Sequence, residues 1–282
     1  MRWLSLLMLI PALALCIYIY FKDRVEKEPI ALLAILFLVG AAFCVPLHLL
    51  EDLLMGWTDK LYSGMYKFST VTGAREYVSV SAMLSHDSIV SFLAIALPEE
   101  LAKWFAILII TRNSRHFNCL FDGIVYHVFY AFGFALAETV RFTVMNSIDM
   151  MWMKAFAVIP SYLLFGVVSG FFYTLLHCYS TARRMERDLI MQKVYTDKRV
   201  RIVPLIYALG LVVPTVVHGL CTLAEIIRTK NANFAYYCAV VLLYSACFII
   251  VNRISKRDSE NTKIAVRILN RLHKSVAADN GR

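Results

Sequence analysis

Seven apolar runs of bilayer length dominate this chain, at about 3–21, 30–50, 88–111, 119–140, 155–178, 203–225 and 234–252. A hydrocarbon core about 30 Å thick is crossed by about 20 residues of helix. Lipid offers the backbone no water to bond to, so each run must satisfy its own N–H and C=O groups as a helix. Of the 282 residues, 60% are apolar and 17% charged. Soluble domains carry roughly 25% charged residues, and a soluble fold of this size has no interior large enough for so much apolar surface. Disorder needs the opposite composition. The fold class is therefore all-α: a polytopic integral membrane bundle of about seven transmembrane helices.

The chain carries 29 Lys+Arg against 20 Asp+Glu. In a soluble protein that surplus suits nucleic acid. Here the basic residues lie between and after the apolar runs, so they read as topology signals and contacts to anionic lipids, with no nucleic acid partner. Counted over alternate connections, Lys and Arg divide twenty against eight. That bias places the N-terminus outside and the C-terminus in the cytoplasm, as in a bacterial plasma-membrane protein. Ala12-Leu13-Ala14 has the form of a signal-peptidase site, but apolar residues continue to Phe21 and Lys22-Asp23-Arg24 follow, so the first run reads as an anchor. The seven cysteines include no CxxC pair, which supports neither a disulfide framework nor a zinc ribbon. Residues 1–252 form the membrane domain and 253–282 a basic amphipathic cytoplasmic tail. In the tail Ile264, Ile268, Leu272 and Val276 recur among Lys263, Arg267, Arg271 and Lys274. The pattern fits a helix lying on the inner leaflet, or one that binds a partner.

Ionisable groups inside the runs carry the chemistry, because each costs at least about 2.5–3.5 kcal/mol at a helix centre. Lys103 follows Glu99 by four residues and Glu100 by three, so one helical face can pair them. One lysine leaves one carboxylate in surplus, which suits a general base or a metal ligand. Pro98 fits the first position of a helix, so the third run is expected to break there and place both glutamates at a helix N-terminus. His127 and Glu138 share a face of the fourth run, where His127 reads as a core histidine and Glu138 as a site residue or a partner for Arg141. Pro214 is expected to kink the sixth run ahead of His218, and Gly219 admits a close neighbour. His48 and His177, near run ends, read as interfacial.

These residues resemble a known family. Glu99-Glu100-x-x-Lys103, Phe134-x-x-x-Glu138 and His218-Gly219-Leu220, together with Phe121-Asp122-Gly123-Ile124-x-Tyr126 and Gly133-Phe134-Ala135, look like the PrsW family of membrane proteases over residues about 95–225. The wider group contains the CAAX-processing and Abi-type enzymes, which share a doubled glutamate, an F-x-x-x-H or F-x-x-x-E motif and a late histidine. The resemblance implies an intramembrane endopeptidase acting on membrane-anchored, single-span substrates of the anti-sigma-factor kind. It places Glu99, Glu100 and His218 in catalytic positions, with Lys103, His127, Glu138, Tyr162 and Thr222 in support. Three positions depart from the family pattern: Thr139 stands for the usual Asn, Tyr162 for a histidine and Thr222 for an aspartate.

Two mechanisms stay open. In one, Glu99 or Glu100 activates water without a metal while His218 assists, Thr222 orients the imidazole and Glu138 holds water or substrate. In the other, Glu99, Glu100, Glu138 and His218 hold zinc. The metal-free form is favoured, since Tyr162 occupies the place of a histidine ligand. A non-catalytic binding homologue and a proton-coupled transporter or sensor are the rival readings, because both also place Glu and His in spans. Depth arithmetic at 1.5 Å per residue puts Glu99 roughly 16 Å and His218 roughly 8 Å below the outer surface. A cut in the outer half of the membrane follows, with Tyr62 and Tyr66 of the 51–87 connection over the entrance as a gate or an interfacial anchor. The charge bias gives a direct prediction. A C-terminal alkaline phosphatase fusion is inactive and a C-terminal green fluorescent fusion is bright; the reverse pattern refutes the orientation.

Overall fold

Helix accounts for almost all regular structure in the computed structural model, which describes residues 10–68, 75–112, 114–145, 159–227 and 230–279. In chain order these are α1 (Ile10–Lys22), α2 (Ile30–Leu61), strands β1 (Tyr66–Phe68) and β2 (Arg75–Tyr77), α3 (Val80–Ile89), a π-helical stretch (Val90–Ala96) and α4 (Leu97–Thr111). There follow α5 (Asp122–Met145), α6 (Ile159–Met191), α7 (Val203–Ile226), α8 (Lys230–Lys256) and α9 (Asn261–Asp279). The strands form an antiparallel hairpin with Tyr66 opposite Tyr77 and Phe68 opposite Arg75. Among the described residues, four helices are long and apolar enough to cross a membrane: Ile30–Leu61, Asp122–Arg141, Ser161–Met191 and Val203–Ile226. Of the other expected spans, the first is described only from Ile10, the third is assembled from α3, the π-helical stretch and α4, and the seventh lies within α8.

The helices are sorted by what their faces meet. Leu36 of α2, Phe121 just before α5, Ile124 and Val128 of α5, and Leu163, Leu164 and Val167 of α6 are buried in one core. Leu38, Val45 and Leu49 of α2, Ile109 of α4 and Leu205, Val212 and Leu220 of α7 face outward. Lipid is as apolar as these side chains, so burial alone does not drive helices together there, and close packing through small residues does. Helix α5 lies between α2 and α6, and it meets α2 through Gly40 and Gly133. A Cβ on Gly40 would run into the Tyr130 carbonyl, and one on Gly133 into the Phe37 carbonyl. These two contacts bring the backbones of α2 and α5 together.

The expected break at Pro98 does not occur. The chain stays helical from Val80 to Thr111, and the Leu97 N–H bonds to the Phe92 carbonyl five residues back. Wide π turns accommodate a proline that supplies no N–H, so α4 does not begin as a free helix end. Glu99 and Glu100 therefore lie in the first turn of α4 without an exposed N-terminus. Pro214 likewise sits inside an unbroken α7, and Pro46 inside α2.

The tail packs against protein. Ala265 and Leu269 of α9 are buried, with Ile268 and Leu272 against the same core, and the His273 ring bonds to Glu186 of α6 at 2.9 Å. The Val276 side chain lies outside the described residues. Near α9, in the α1–α2 connection, Asp23 is only 1% exposed, and neither of its carboxylate oxygens has a hydrogen-bond partner among the described residues. Burial, then the charge of Asp258, pushes its carboxyl up to about 6. An unfolded aspartate titrates near about 3.9, so the folded chain favours the protonated form. The resulting stability is present at low pH and is lost as pH rises from about 4 through about 6. Asp23→Asn should raise the melting temperature at pH 7.5 and flatten its decline between pH 4.5 and 7. A variant that declines as steeply as the parent refutes this account.

Candidate active site

Four helices bring the chemistry together. Helix α4 supplies Glu99, Glu100 and Lys103, α7 supplies His218, α6 supplies Tyr162, Phe165 and Ser169, and α5 supplies Phe134 and Glu138. Glu100 is fully buried. Its Oε1 accepts from Lys103 Nζ at 2.6 Å and faces His218 Nδ1 at 3.2 Å, while its Oε2 accepts from Ser169 Oγ at 2.7 Å. Both oxygens are thus engaged, and the lysine cancels the charge. Glu99 is placed differently, with Oε2 3.8 Å from His218 Nε2.

The two distances assign the histidine its roles. A ring nitrogen hydrogen-bonded to a carboxylate carries the proton, so His218 donates from Nδ1 to Glu100 and turns the Nε2 lone pair toward Glu99. The ring is stacked on Phe165 with centroids 4.3 Å apart, and the edge of Tyr162 closes its other flank at 6.0 Å. Packing and one hydrogen bond together fix the imidazole.

A second group stands beside the first. His48 of α2 places Nδ1 2.8 Å from the Cys44 carbonyl and Nε2 2.8 Å from Glu138 Oε2. Arg141 Nε also reaches Glu138, at 3.1 Å, and Glu51 lies 3.9 Å from His48. Phe134 stacks on His48, Tyr162 packs against Phe134, and Tyr162 in turn meets His218, so two rings link the two histidines. Glu51 and Glu138 are both within electrostatic range of Glu99.

Sequence reasoning missed three of these residues: His48, Glu51 and Ser169. His48 read as interfacial, yet Cys44, His48 and Glu51 at i, i+4 and i+7 mark a polar stripe on an apolar helix that could have signalled it. Ser169 left no signal, being an uncharged residue in an apolar run. His127 lies in the core instead, bonded through Nδ1 to the Gly123 carbonyl at 2.7 Å and packed on Tyr173. The Thr222 hydroxyl donates to the His218 carbonyl at 3.2 Å, so it acts on the backbone and not on the imidazole. Gly219 meets the Phe92 ring, the close neighbour its missing Cβ permits.

The donor chemistry suits a zinc-like ion. His218 Nε2 and a Glu99 oxygen face one another, and a carboxylate behind the histidine sets its tautomer, the outer-shell pattern of metal-binding histidines. Ligand atoms of Cys44, His48 and Glu138 also lie within 4.8 Å of one another. Glu100 is taken up by Lys103, Ser169 and the far side of His218.

Comparison with known proteins gives a consistent picture. Residues 28–250 match the profile of the PrsW family intramembrane metalloproteases. Curated relatives include the protease PrsW of Oceanobacillus iheyensis, 30% identical over 57% of this chain and 64% of the relative, and that of Bacillus subtilis, 26% identical over 80% and 83%. The protease PrsW of Clostridioides difficile is 31% identical over 60% of this chain and 64% of the relative. The chain thus spans a little under two thirds of the Oceanobacillus and Clostridioides proteins. No solved structure matches. With most of its length inside the family profile, this helical membrane chain belongs to the PrsW family of intramembrane metalloproteases.

Proposed function

We propose that this protein hydrolyses a peptide bond of a membrane-anchored, single-span protein of the anti-sigma-factor kind. The carrying observation is the asymmetry at His218, whose Nδ1 is held by Glu100 at 3.2 Å while its Nε2 faces Glu99 across 3.8 Å. A water in that gap donates one hydrogen bond to the Nε2 lone pair. Glu99 takes a proton from it as the oxygen attacks the scissile carbonyl, and returns that proton to the leaving amine. Glu100 has no free oxygen for this work and serves to orient the histidine. Lys103 balances the charge of Glu100. In the zinc-dependent form Glu99 and His218 would instead hold the ion, which would supply Lewis acidity and lower the pKa of water at the site, and Glu99 would be a ligand in place of the base.

A second metal position is favoured by one observation: the Nδ1 of His48 is already committed to a carbonyl, leaving its Nε2 for Glu138 and a shared ion or proton. The seven-span arrangement, with the N-terminus outside and the tail on the cytoplasmic side with anionic lipid, completes the reading for a bacterial plasma membrane.

Glu99→Gln, Glu100→Gln and His218→Ala should each lower cleavage of a co-expressed single-span protein by at least about a hundredfold while the protein still inserts. Lys103→Met should also reduce the amount of folded protein, because it leaves a buried carboxylate unpaired. A membrane-permeable chelator separates the two forms: cleavage that persists fits the metal-free water, and cleavage that stops and returns with added Zn²⁺ fits zinc at the site. Bound zinc lost on His218→Ala assigns the ion to the first site, and zinc lost on His48→Ala alone assigns it to the second. Full cleavage by all three active-site variants refutes the assignment.

Depth sets where the cut falls. Measured from the inner helix ends at 1.5 Å per residue, Glu99 lies about 18 Å, His218 about 22 Å, Glu138 about 24 Å and His48 about 27 Å into a core about 30 Å thick. Mass spectrometry of both fragments should place the scissile bond in the outer-leaflet or outer juxtamembrane part of the substrate. A bond on the cytoplasmic side is the contrary result.

A further inference from the structure

At the opposite end of the bundle from Glu138 and His48, the end of α4, the last turns of α6 and the start of α7 enclose a cavity of about 780 Å³. Its polar half is built from Arg112, Arg183, Arg184, Arg187, Lys198 and Arg201. Among the described residues, five of these form no salt bridge, and Arg187 has only its neighbour Asp188, at 3.9 Å. The single acid in the lining, Glu186, is spent elsewhere: its carboxylate accepts from the backbone N–H of Arg199 at 2.8 Å and of Val200 at 3.1 Å, and bonds His273 at 2.9 Å. The floor is apolar, formed by Leu108, Tyr173, Leu176, Val203 and Tyr207. Six exposed cations, five of them without a salt bridge among the described residues, converge over one apolar floor and give the cavity a positive field that an anion would complete.

We infer that this cavity is a binding site for an anionic phospholipid, its phosphate among the arginines and an acyl chain along the apolar floor. Three features favour a lipid over an acidic peptide. The cavity combines charge with apolar depth. It sits where the helices leave the apolar zone. The adjoining Ile109, Ile202 and Leu205 are exposed, as a lipid-facing rim requires. Basic pockets between membrane helices recognise anionic headgroups by the same electrostatics that draw polybasic segments to the inner leaflet. Arginine suits the phosphate because its planar fork bonds two oxygens at once. The inference does not depend on the catalytic reading.

The probes are phosphatidylglycerol, phosphatidylcholine, glycerol phosphate and an acidic peptide, presented to full-length protein and read by native mass spectrometry. The protein should retain phosphatidylglycerol in preference to phosphatidylcholine. The combined R183Q/R184Q/R201Q variant should lower that retention at least about tenfold. The combined K263Q/R267Q/R271Q variant removes equal charge from exposed positions on α9 and should stay close to the parent. Equal loss in the two variants means a diffuse field and overturns the site. Displacement of the lipid by millimolar glycerol phosphate overturns the lipid as occupant in favour of a soluble anion. Tighter capture of the acidic peptide overturns it in favour of a protein partner. All the substituted arginines are exposed, and unchanged melting temperatures of both variants exclude misfolding as the cause.

Discussion

Glu100 has no water to solvate it, and the site is arranged around that fact. Its two oxygens are met by a lysine from its own helix, a serine from α6 and a histidine from α7. A buried charge is tolerated only with such a full complement, since losing one partner leaves an uncompensated carboxylate in a medium of low dielectric. The same bonds therefore do two things. They tie α4, α6 and α7 together, and they set the tautomer and direction of His218. In the proposed site, function and fold share one network, so substitutions within it should act on both.

The second group follows from backbone approach. The close meeting of α2 and α5 at Gly40 and Gly133 aligns His48 with Glu138, two residues from runs far apart in the chain. Phe134, stacked on His48, and Tyr162, against His218, then link the two histidines by ring contacts. In the acidic set of Glu51, Glu99 and Glu138, His48 and Arg141 meet Glu138, and His48 also lies 3.9 Å from Glu51. Clustered ionisable groups of this kind inside an apolar bundle are expensive, which is what supports the proposed centre.

Much of this was legible in the chain because lipid is a strict solvent. Apolar length forces helix, and any charge within it stands out. Glu99, Glu100, Lys103 and His218 were visible for that reason. The expectation that Pro98 breaks the third run was not met. Proline removes one N–H, but a π stretch of wider turns accommodates the loss without ending the helix, and nothing in the residues Val90–Ala96 announces that choice. His48 was hidden by its place near a run end, and Ser169 by its lack of charge.

The sequence by itself determined the class of solvent, the helical state of the runs and which side chains were too costly to be idle. Those follow from local chemistry, one residue or one turn at a time. Only the tertiary structure decided which glutamate is taken up by Lys103, Ser169 and the Nδ1 side of His218. Glu99 and Glu100 are adjacent, chemically identical and both within reach of Lys103 in the sequence. Their difference comes from what α6 and α7 place opposite them: Ser169 and the Nδ1 side of His218 occupy Glu100, and the Nε2 side leaves Glu99 facing an open lone pair. Contacts between residues 69 and 118 positions apart carry that distinction, and no local pattern in the chain encodes it.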